Sequence, residues 1–409
     1  MPQGALSDLK VVEYAHSISG PYCAKLLADL GAEVIKVEEP GVGDKARRSG
    51  PFPQDTPHPE RSGLFLYLNA NKLGITLNLD TATGSGIFKE LIEQADILVE
   101  NNPFDFMAGL GLGYDSLSKI NPRLVMTSIT PFGETGPYRH YKASELISFH
   151  SGGLGYDTPG VVDDPEQEPP LKAGGHQAQF LAGVTAALIT LCAVFARRLS
   201  GWGQHIDLSE QEAVASLMRS SVAYVSYGNP LAMTRRKTEQ PPIRKPFLGI
   251  IPCMGGYVCT VAIEDDHWRS LMKLMGDPDW GRDEMCRDRL SRAEHAHVLE
   301  PRILEWTAKY EKDELSNLLQ GAHIPCFPIN DIGEVMHSDQ LAARGFFVEV
   351  EHPEAGRAKF PGAPFKLCQT PWQLKRPAPL LGEHNVEVLC HRLGFARKDL
   401  VKMREGGII

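Results

Sequence analysis

The segment from Lys172 to Leu217, KAGGHQAQFLAGVTAALITLCAVFARRLSGWGQHIDLSEQEAVASL, constrains the fold more than any other stretch. Gly174 and Gly175 lead through His176, Gln177 and Gln179 into an apolar run from Phe180 to Phe195, which closes on Arg197, Arg198 and Gly201. Arginines there suit the negative end of a helix dipole, and the following glycine can take the left-handed conformation that stops a helix at low cost. The run is too apolar for a surface helix, yet glycine and threonine interrupt it, so a buried core helix is expected rather than a membrane span. The N–H groups of its first turn, around His176 to Gln179, lack partners within the helix and suit an anionic group or a developing oxyanion.

The N-terminal part alternates strand and helix signals. Leu9 to Ala15 reads as a buried strand, His16 to Pro21 as a loop, Tyr22 to Leu30 as a helix and Glu33 to Glu38 as the next strand. A right-handed crossover makes these strands parallel and puts the loop HSISGP at a strand's carboxyl end, where open α/β sheets bind ligands. Ile75 to Leu79, Thr83 to Gln94, Ile97 to Glu100 and Leu124 to Ile129 continue the alternation, predicting an α/β fold with a doubly wound, Rossmann-like parallel sheet. Pro40 to Gly63 reads as a long surface loop, and Lys36, Arg47, Arg48 and Lys72 near it are candidates to hold phosphates. Ser144 is placed to cap a short helix with Glu145 in its first turn, and Gly152 to Pro170 is a connection. Gln204 to Leu208 is strand-like, and Ser209 to Glu212 has the capping-box pattern.

A domain boundary is expected within the polar, proline-rich stretch Asn229 to Pro246. Beyond it, a strand at Gly255 to Ile263, a helix at Asp266 to Met275 and helical signal over Pro278 to Gln320 predict a smaller α+β domain. The chain then returns around Ser338 to Phe347 toward a proline-rich crossing and a C-terminal helix at Asn385 to Leu393. The expected division is a large domain from 1–228 and 338–409, and a small one from 229–337.

With 409 residues the chain suffices for both domains, and a net charge of −9 without long like-charge runs argues against a nucleic-acid surface while leaving room for a local basic pocket. Eight cysteines without a CxxC pair fit free thiols. The N-terminus has no apolar signal region, so a cytoplasmic protein without membrane attachment is expected. Neither GxGxxG nor HExxH occurs, and no metal or redox cofactor is indicated.

Several ordered blocks resemble the family III CoA-transferases, the group of CaiB/BaiF and carnitine dehydratase-like proteins. They are LADLGAEVIKVEEPGVGD (Leu27 to Asp44), LNANKLGITLNLD (Leu68 to Asp80), ADILVEN (Ala95 to Asn101), GETGPY (Gly133 to Tyr138), RLSGWGQHIDLSEQEA (Arg198 to Ala213), IPCFPIND (Ile324 to Asp331) and PLLGEHNVEVL (Pro379 to Leu389). The resemblance implies a small domain inserted into a Rossmann-like one, a homodimer of interlocked rings, and coenzyme A bound as a substrate thioester. It matches His16, Ser17, Ile18, Lys72 and Asn101 to CoA-contacting positions, and Lys142 and Glu145 to polar positions of the active site. Glu39 and Gly109 stand where some relatives place arginines near the CoA phosphates.

The family's transferases carry a nucleophilic aspartate four residues before the glycine of the long helix. Here that glycine is Gly183, and the corresponding residue is Gln179. A carboxamide cannot attack a thioester to form a mixed anhydride. The leading expectation is CoA transfer between an acyl-CoA and a carboxylic acid, with Glu145 as the substitute carboxylate. An alternative is racemisation, dehydration or lyase chemistry, in which His176 or Glu145 removes a proton beside the thioester carbonyl while Gln179 contributes hydrogen bonds. A further alternative is a CoA-binding protein without turnover.

Overall fold

The computed structural model describes residues 4–158, 164, 167–228 and 247–409. The described chain divides into two compact units, one built from residues 4–158, 167–228 and Gly345–Ile409, the other from residue 164 and 247–344. The boundary expected within Asn229 to Pro246 lies outside the described residues, as does part of the connection expected at Gly152 to Pro170.

In the first unit, short stretches rich in β-branched residues form β1 (Lys10–Tyr14), β2 (Glu33–Glu38), β3 (Leu73–Thr76), β4 (Ile97–Glu100), β5 (Val125–Thr130) and β6 (Gln204–Ser209). All pair in parallel, in the order β3-β2-β1-β4-β5-β6. Both faces are covered, so the strands read as nearly continuous buried runs rather than alternating ones. The order reverses between β1 and β4, and a ligand crevice opens beyond the carboxyl ends of strands at such a point.

Nine helices of this unit matter to the site: α1 (Ser19–Asp29), α2 (Gly63–Asn69), α3 (Ala82–Glu93), α4 (Phe106–Gly109), α5 (Tyr114–Ile120), α6 (Glu145–Ser151), α7 (Gln177–Ser200), α8 (Glu210–Ala215) and α9 (Arg219–Ser226). Val12, Ile75, Phe88, Leu98 and Leu117 are among the core residues on one face of the sheet. Val11, Cys23, Leu27, Val99 and Ala186 belong to the core on the other.

α7 ends as its sequence predicts, with Gly201 at φ 81° and its N–H bonded to the Arg197 carbonyl at 2.9 Å. The expectation of a wholly buried helix is corrected. Its buried stripe consists mainly of small residues, Ala178, Ala182, Gly183, Ala186, Ala187 and Ala193 among them. That stripe lets α1 approach closely: a Cβ on Gly183 would stand 2.8 Å from the Ser19 carbonyl oxygen. The opposite stripe leaves Leu188 64% and Phe195 65% exposed. Arg197 does more than complement the dipole, since it is buried and bonds the Asp96 carboxylate at 2.8 Å and the Arg123 carbonyl at 2.9 Å.

Other expectations shift at their edges. The Pro40 to Gly63 segment is not a plain surface loop, because Asp44, Ala46, Arg47 and Ser62 within it are buried. Near the C-terminus an antiparallel hairpin, β10 (Phe347–His352) with β11 (Gly356–Pro361), stands where only a connection was expected. The expected terminal helix is a wide π-type coil over Val386–Arg392, followed by an α-helix at Arg397–Glu405.

The second unit is a three-stranded antiparallel sheet, β7 (Leu248–Cys253), β8 (Gly256–Val261) and β9 (Cys326–Pro328), with helices at Asp265–Leu274, Ala296–Thr307 and Lys312–Gly321. Its core gathers Phe247, Trp268, Leu271, Ile303 and Leu315.

Candidate active site

The crevice end of the site begins with the turn after β1. His16 N–H donates to Asn101 Oδ1 at 2.8 Å, and Asn101 Nδ2 donates back to the His16 carbonyl at 2.7 Å. The loop after β1 and the end of β4 are thereby joined across the point where strand order reverses. Ser17 takes φ 62°, an uncommon conformation for a residue with a side chain, and its N–H bonds Asp44 Oδ1 at 2.8 Å. Ile18 is buried, and its carbonyl accepts from Tyr22 N–H at 2.7 Å in the first turn of α1. Burial chiefly lowers the His16 pKa, with the nearby Asp44 carboxylate opposing, so the imidazole is favoured as neutral.

Beneath this turn lies a sealed charge network. Lys36 Nζ reaches Glu13 at 2.7 Å and Asp44 at 2.8 Å, and Lys72 Nζ reaches the other Glu13 oxygen at 2.7 Å. All four side chains are fully buried. Burial alone would lower the Lys36 pKa, but Asp44 and Glu13 outweigh it and raise the value. Lys72 has a weaker position: burial pushes it down to about 8, against the pull of Glu13. Arg47 is likewise interior, bonded to Glu38 at 2.7 Å and Glu60 at 2.5 Å. Of the cations considered for phosphates, Lys36, Lys72 and Arg47 therefore hold the loops in shape, and Arg48 alone among them is exposed. An ammonium group already held by buried carboxylates offers no free charge to a ligand.

The other end of the site is the start of α7. Glu145 Oε1 accepts from Ala178 N–H at 3.1 Å, and Glu145 Oε2 accepts from Gln179 N–H at 3.0 Å. Ser144 stands at the start of α6 but makes no side-chain cap bond, and Glu145 caps α7 rather than its own helix. The exchange satisfies two needs together, since the first turn of α7 has unpartnered N–H groups and a buried carboxylate requires donors. Lys172 Nζ lies 3.6 Å from Glu145 Oε1 and also bonds the Ala173 carbonyl at 2.8 Å and the Gly175 carbonyl. Sequence reasoning assigned no role to Lys172; its only signal was a lysine just before the glycine pair.

Gln179 is half-buried in the first turn, while His176 and Lys142 are exposed. Glu145 and Gln179 are thus in direct contact, whereas His176 precedes them as the residue before the first helical turn. Alongside, Ser148 Oγ donates to Glu210 at 2.6 Å, and burial raises the Glu210 pKa.

Beside this first turn opens a cavity of about 700 Å³, walled by Ala178, Phe180, Leu181, Tyr22, Tyr67 and Phe149 among others. A smaller polar cavity, about 350 Å³, lies at the ends of β4 and β5 and includes Glu100, Glu134, Tyr114 and His205. Burial pushes Glu100 up to about 7 despite hydrogen bonds from Ser128 and Asn102. His205 stacks on Tyr114 at 5.4 Å and shares a 2.9 Å hydrogen bond with Ser128 Oγ. Sequence reasoning did not identify this cluster.

Comparison with known proteins adds identity to this geometry. The family model described as CoA-transferase family III matches residues 6–385. Formyl-CoA:oxalate CoA-transferase of Rhodopseudomonas palustris (strain BisA53) is 32% identical, with 99% of this chain and 97% of that protein covered. Succinyl-CoA:(R)-benzylsuccinate CoA-transferase subunit BbsE of Thauera aromatica is also 32% identical, over 97% of each. Among solved structures, a CAIB/BAIF family protein from Brucella suis superposes with a TM-score of 0.81 at 26% identity, covering 96% of this chain and 100% of that one.

Proposed function

The chain belongs to CoA-transferase family III, and we propose that it moves coenzyme A between an acyl-CoA thioester and a carboxylic acid using Glu145 as its carboxylate. One observation carries the reading: Glu145 lies with both oxygens on the N–H groups of residues 178 and 179, so a carboxylate occupies the start of α7 although residue 179 is glutamine.

The chemistry follows from that position. A Glu145 oxygen attacks the thioester carbonyl carbon, the C–S bond breaks, and CoA leaves as thiolate from a mixed anhydride. The thiolate attacks the glutamyl carbonyl, releasing the first acid and leaving a glutamyl-CoA thioester. The acceptor carboxylate attacks that thioester and expels the thiolate again, forming a second anhydride. Thiolate attack on the acceptor's acyl carbon then releases the new acyl-CoA and restores Glu145. Each rotation of Glu145 toward substrate frees the N–H groups of Ala178 and Gln179, which are placed to receive negative charge at the helix start. Lys172 adds a nearby cation. Gln179 takes part through its backbone donor, and its carboxamide can hydrogen-bond substrate without forming a covalent bond.

The crevice holds the CoA moiety in this reading. The turn His16 to Ile18 and Asn101 form its contact surface, with Lys36 and Lys72 fixing that surface from beneath and Lys142 available from solvent. A homodimer is part of the proposal, supported by the exposed apolar stripe of α7 and by Tyr227, which is 86% exposed just past α9.

Exchange of labelled CoA between an acyl-CoA and a free acid tests the assignment. Glu145→Gln should lower exchange by roughly three orders of magnitude or more while leaving acyl-CoA binding measurable. Undiminished exchange in that variant excludes Glu145 as nucleophile. Deuterium uptake at the α carbon without any acceptor acid would favour proton abstraction instead.

A further inference from the structure

The cavity beside α7 carries an inference about which acids this protein handles. Its wall starts at the residue that caps the reacting end, because Ala178 both donates its N–H to Glu145 and lines the cavity. A group attached to a carbonyl at Glu145 therefore lies next to that space. Tyr22, Tyr67 and Phe180 form one wall. Phe180 meets Tyr22 edge-to-face at 4.7 Å and 87°, while Tyr22 and Tyr67 stack at 6.4 Å and 29°.

No lysine, arginine, aspartate or glutamate is among the described residues lining it. A dicarboxylic acyl group placed there would bring a second carboxylate against a mainly aromatic and aliphatic wall, and the cation at its edge, Lys172 at 5.7 Å from the Phe149 ring, is already held by Glu145 and the Ala173 carbonyl. Removing such a charge from water without a partner is strongly unfavourable. An apolar body gains in proportion to the area it buries, and a ring adds edge-to-face contacts with the aromatic wall. A volume of about 700 Å³ is in the range that accommodates drug-sized molecules, well beyond what a formyl or oxalyl group fills.

We infer that the acyl group taken by this protein is a bulky monocarboxylic one bearing an aromatic ring, and that the Tyr22–Tyr67–Phe180 wall selects it against short dicarboxylic groups. The inference rests on the CoA-transfer reading given above and adds to it the class of acid. The occupant is the acyl group because Ala178 belongs both to the cavity wall and to the Glu145 contact; a segment of a second copy covering the same space is the competing occupant.

The test measures kcat/KM for CoA transfer to acetate from 3-phenylpropanoyl-CoA, propanoyl-CoA and succinyl-CoA, using the full chain and the variant Ala173→Phe. Ala173 belongs to the cavity wall but lies in the loop before α7, so the added ring takes up cavity space without altering a core helix. The phenylpropanoyl thioester should exceed succinyl-CoA by about tenfold or more, and Ala173→Phe should lower the ratio of phenylpropanoyl-CoA to propanoyl-CoA kcat/KM by about tenfold. Leu154→Arg, which adds a cation to the wall, should shift preference toward succinyl-CoA. Turnover with succinyl-CoA equal to or above phenylpropanoyl-CoA in the unaltered protein overturns the acid class and leaves CoA transfer standing. No exchange with any of the three thioesters overturns the transfer reading, and the acid class with it. Dissociation of a dimer by Ala173→Phe with unchanged selectivity assigns the space to a subunit contact and also overturns the inference.

Discussion

The turn after β1 and the start of α7, which the proposed mechanism joins in one site, are built on opposite plans. At the crevice, Glu13, Lys36, Asp44 and Lys72 are fully buried and mutually paired, and the loop above them is held by both His16 and Ser17 N–H groups. At the α7 end, a single carboxylate rests on two N–H groups, beside an open apolar cavity and an exposed histidine. The first end is over-determined, so any one change disturbs several partners. The second end depends on where one side chain lies, and in the proposed mechanism the carboxylate there comes from residue 145 rather than residue 179.

That contrast can be broken first at its most rigid point. Glu13→Gln leaves Lys36 with Asp44 as its one carboxylate partner beside the Ala15 carbonyl, and removes the carboxylate that Lys72 faces. It should cost about 3–5 kcal/mol of folding stability, read by denaturant unfolding. A loss below about 1 kcal/mol would show that the crevice network is not what fixes the turn after β1.

Gly183→Ala tests the small-residue stripe that joins the two ends. Its Cβ would meet the Ser19 backbone at 2.8 Å, so α1 and α7 must separate, with an expected loss of about 1–3 kcal/mol. Because α1 begins directly after the His16 turn, CoA binding should weaken with it. Full retention of both properties would decouple the helix packing from the crevice.

Titration gives a smaller effect with a definite sign. Glu100 is pushed up to about 7, so the folded protein holds its proton more tightly than the unfolded chain does. The stabilising contribution is complete below the ordinary carboxylate range and is lost as pH rises through about 7, at a slope of no more than ~1.4 kcal/mol per pH unit. Glu100→Gln should flatten this part of the stability profile, although Glu134, also raised by burial, keeps some of it. An unchanged profile would place the proton elsewhere. The smallest effect belongs to His176→Ala: the side chain is exposed and lies outside the Glu145 contact, so exchange should fall by less than about threefold. Collapse of activity in that variant would move the chemistry from Glu145 to the imidazole.

Much of the scaffold was legible because local patterns and global packing agree there. Alternating apolar runs and turn residues define β1, α1 and β2, and the arginines and Gly201 define the end of α7. Site contacts are different in kind. Glu145 meets Gln179 across 34 positions of chain, and nothing in the local sequence distinguishes a carboxylate that caps its own helix from one that caps another. Similarly, Lys36 and Lys72 read as candidates to hold phosphates because their shared partner, Glu13, lies in a strand whose pattern reads only as buried. The half-exposed character of α7 escaped for a comparable reason: alanines and large aliphatics are both apolar, but mainly small residues, with Thr190, Val194 and Arg197, face the core.

The central claim is that a carboxylate at position 145 carries the acyl transfer. Incubating the protein with an acyl-CoA, trapping with hydroxylamine and mapping peptides by mass spectrometry tests it directly. A hydroxamate on Glu145, absent from Glu145→Gln, is the predicted result; CoA exchange that proceeds with the label on another carboxylate, or with no label anywhere, would contradict it.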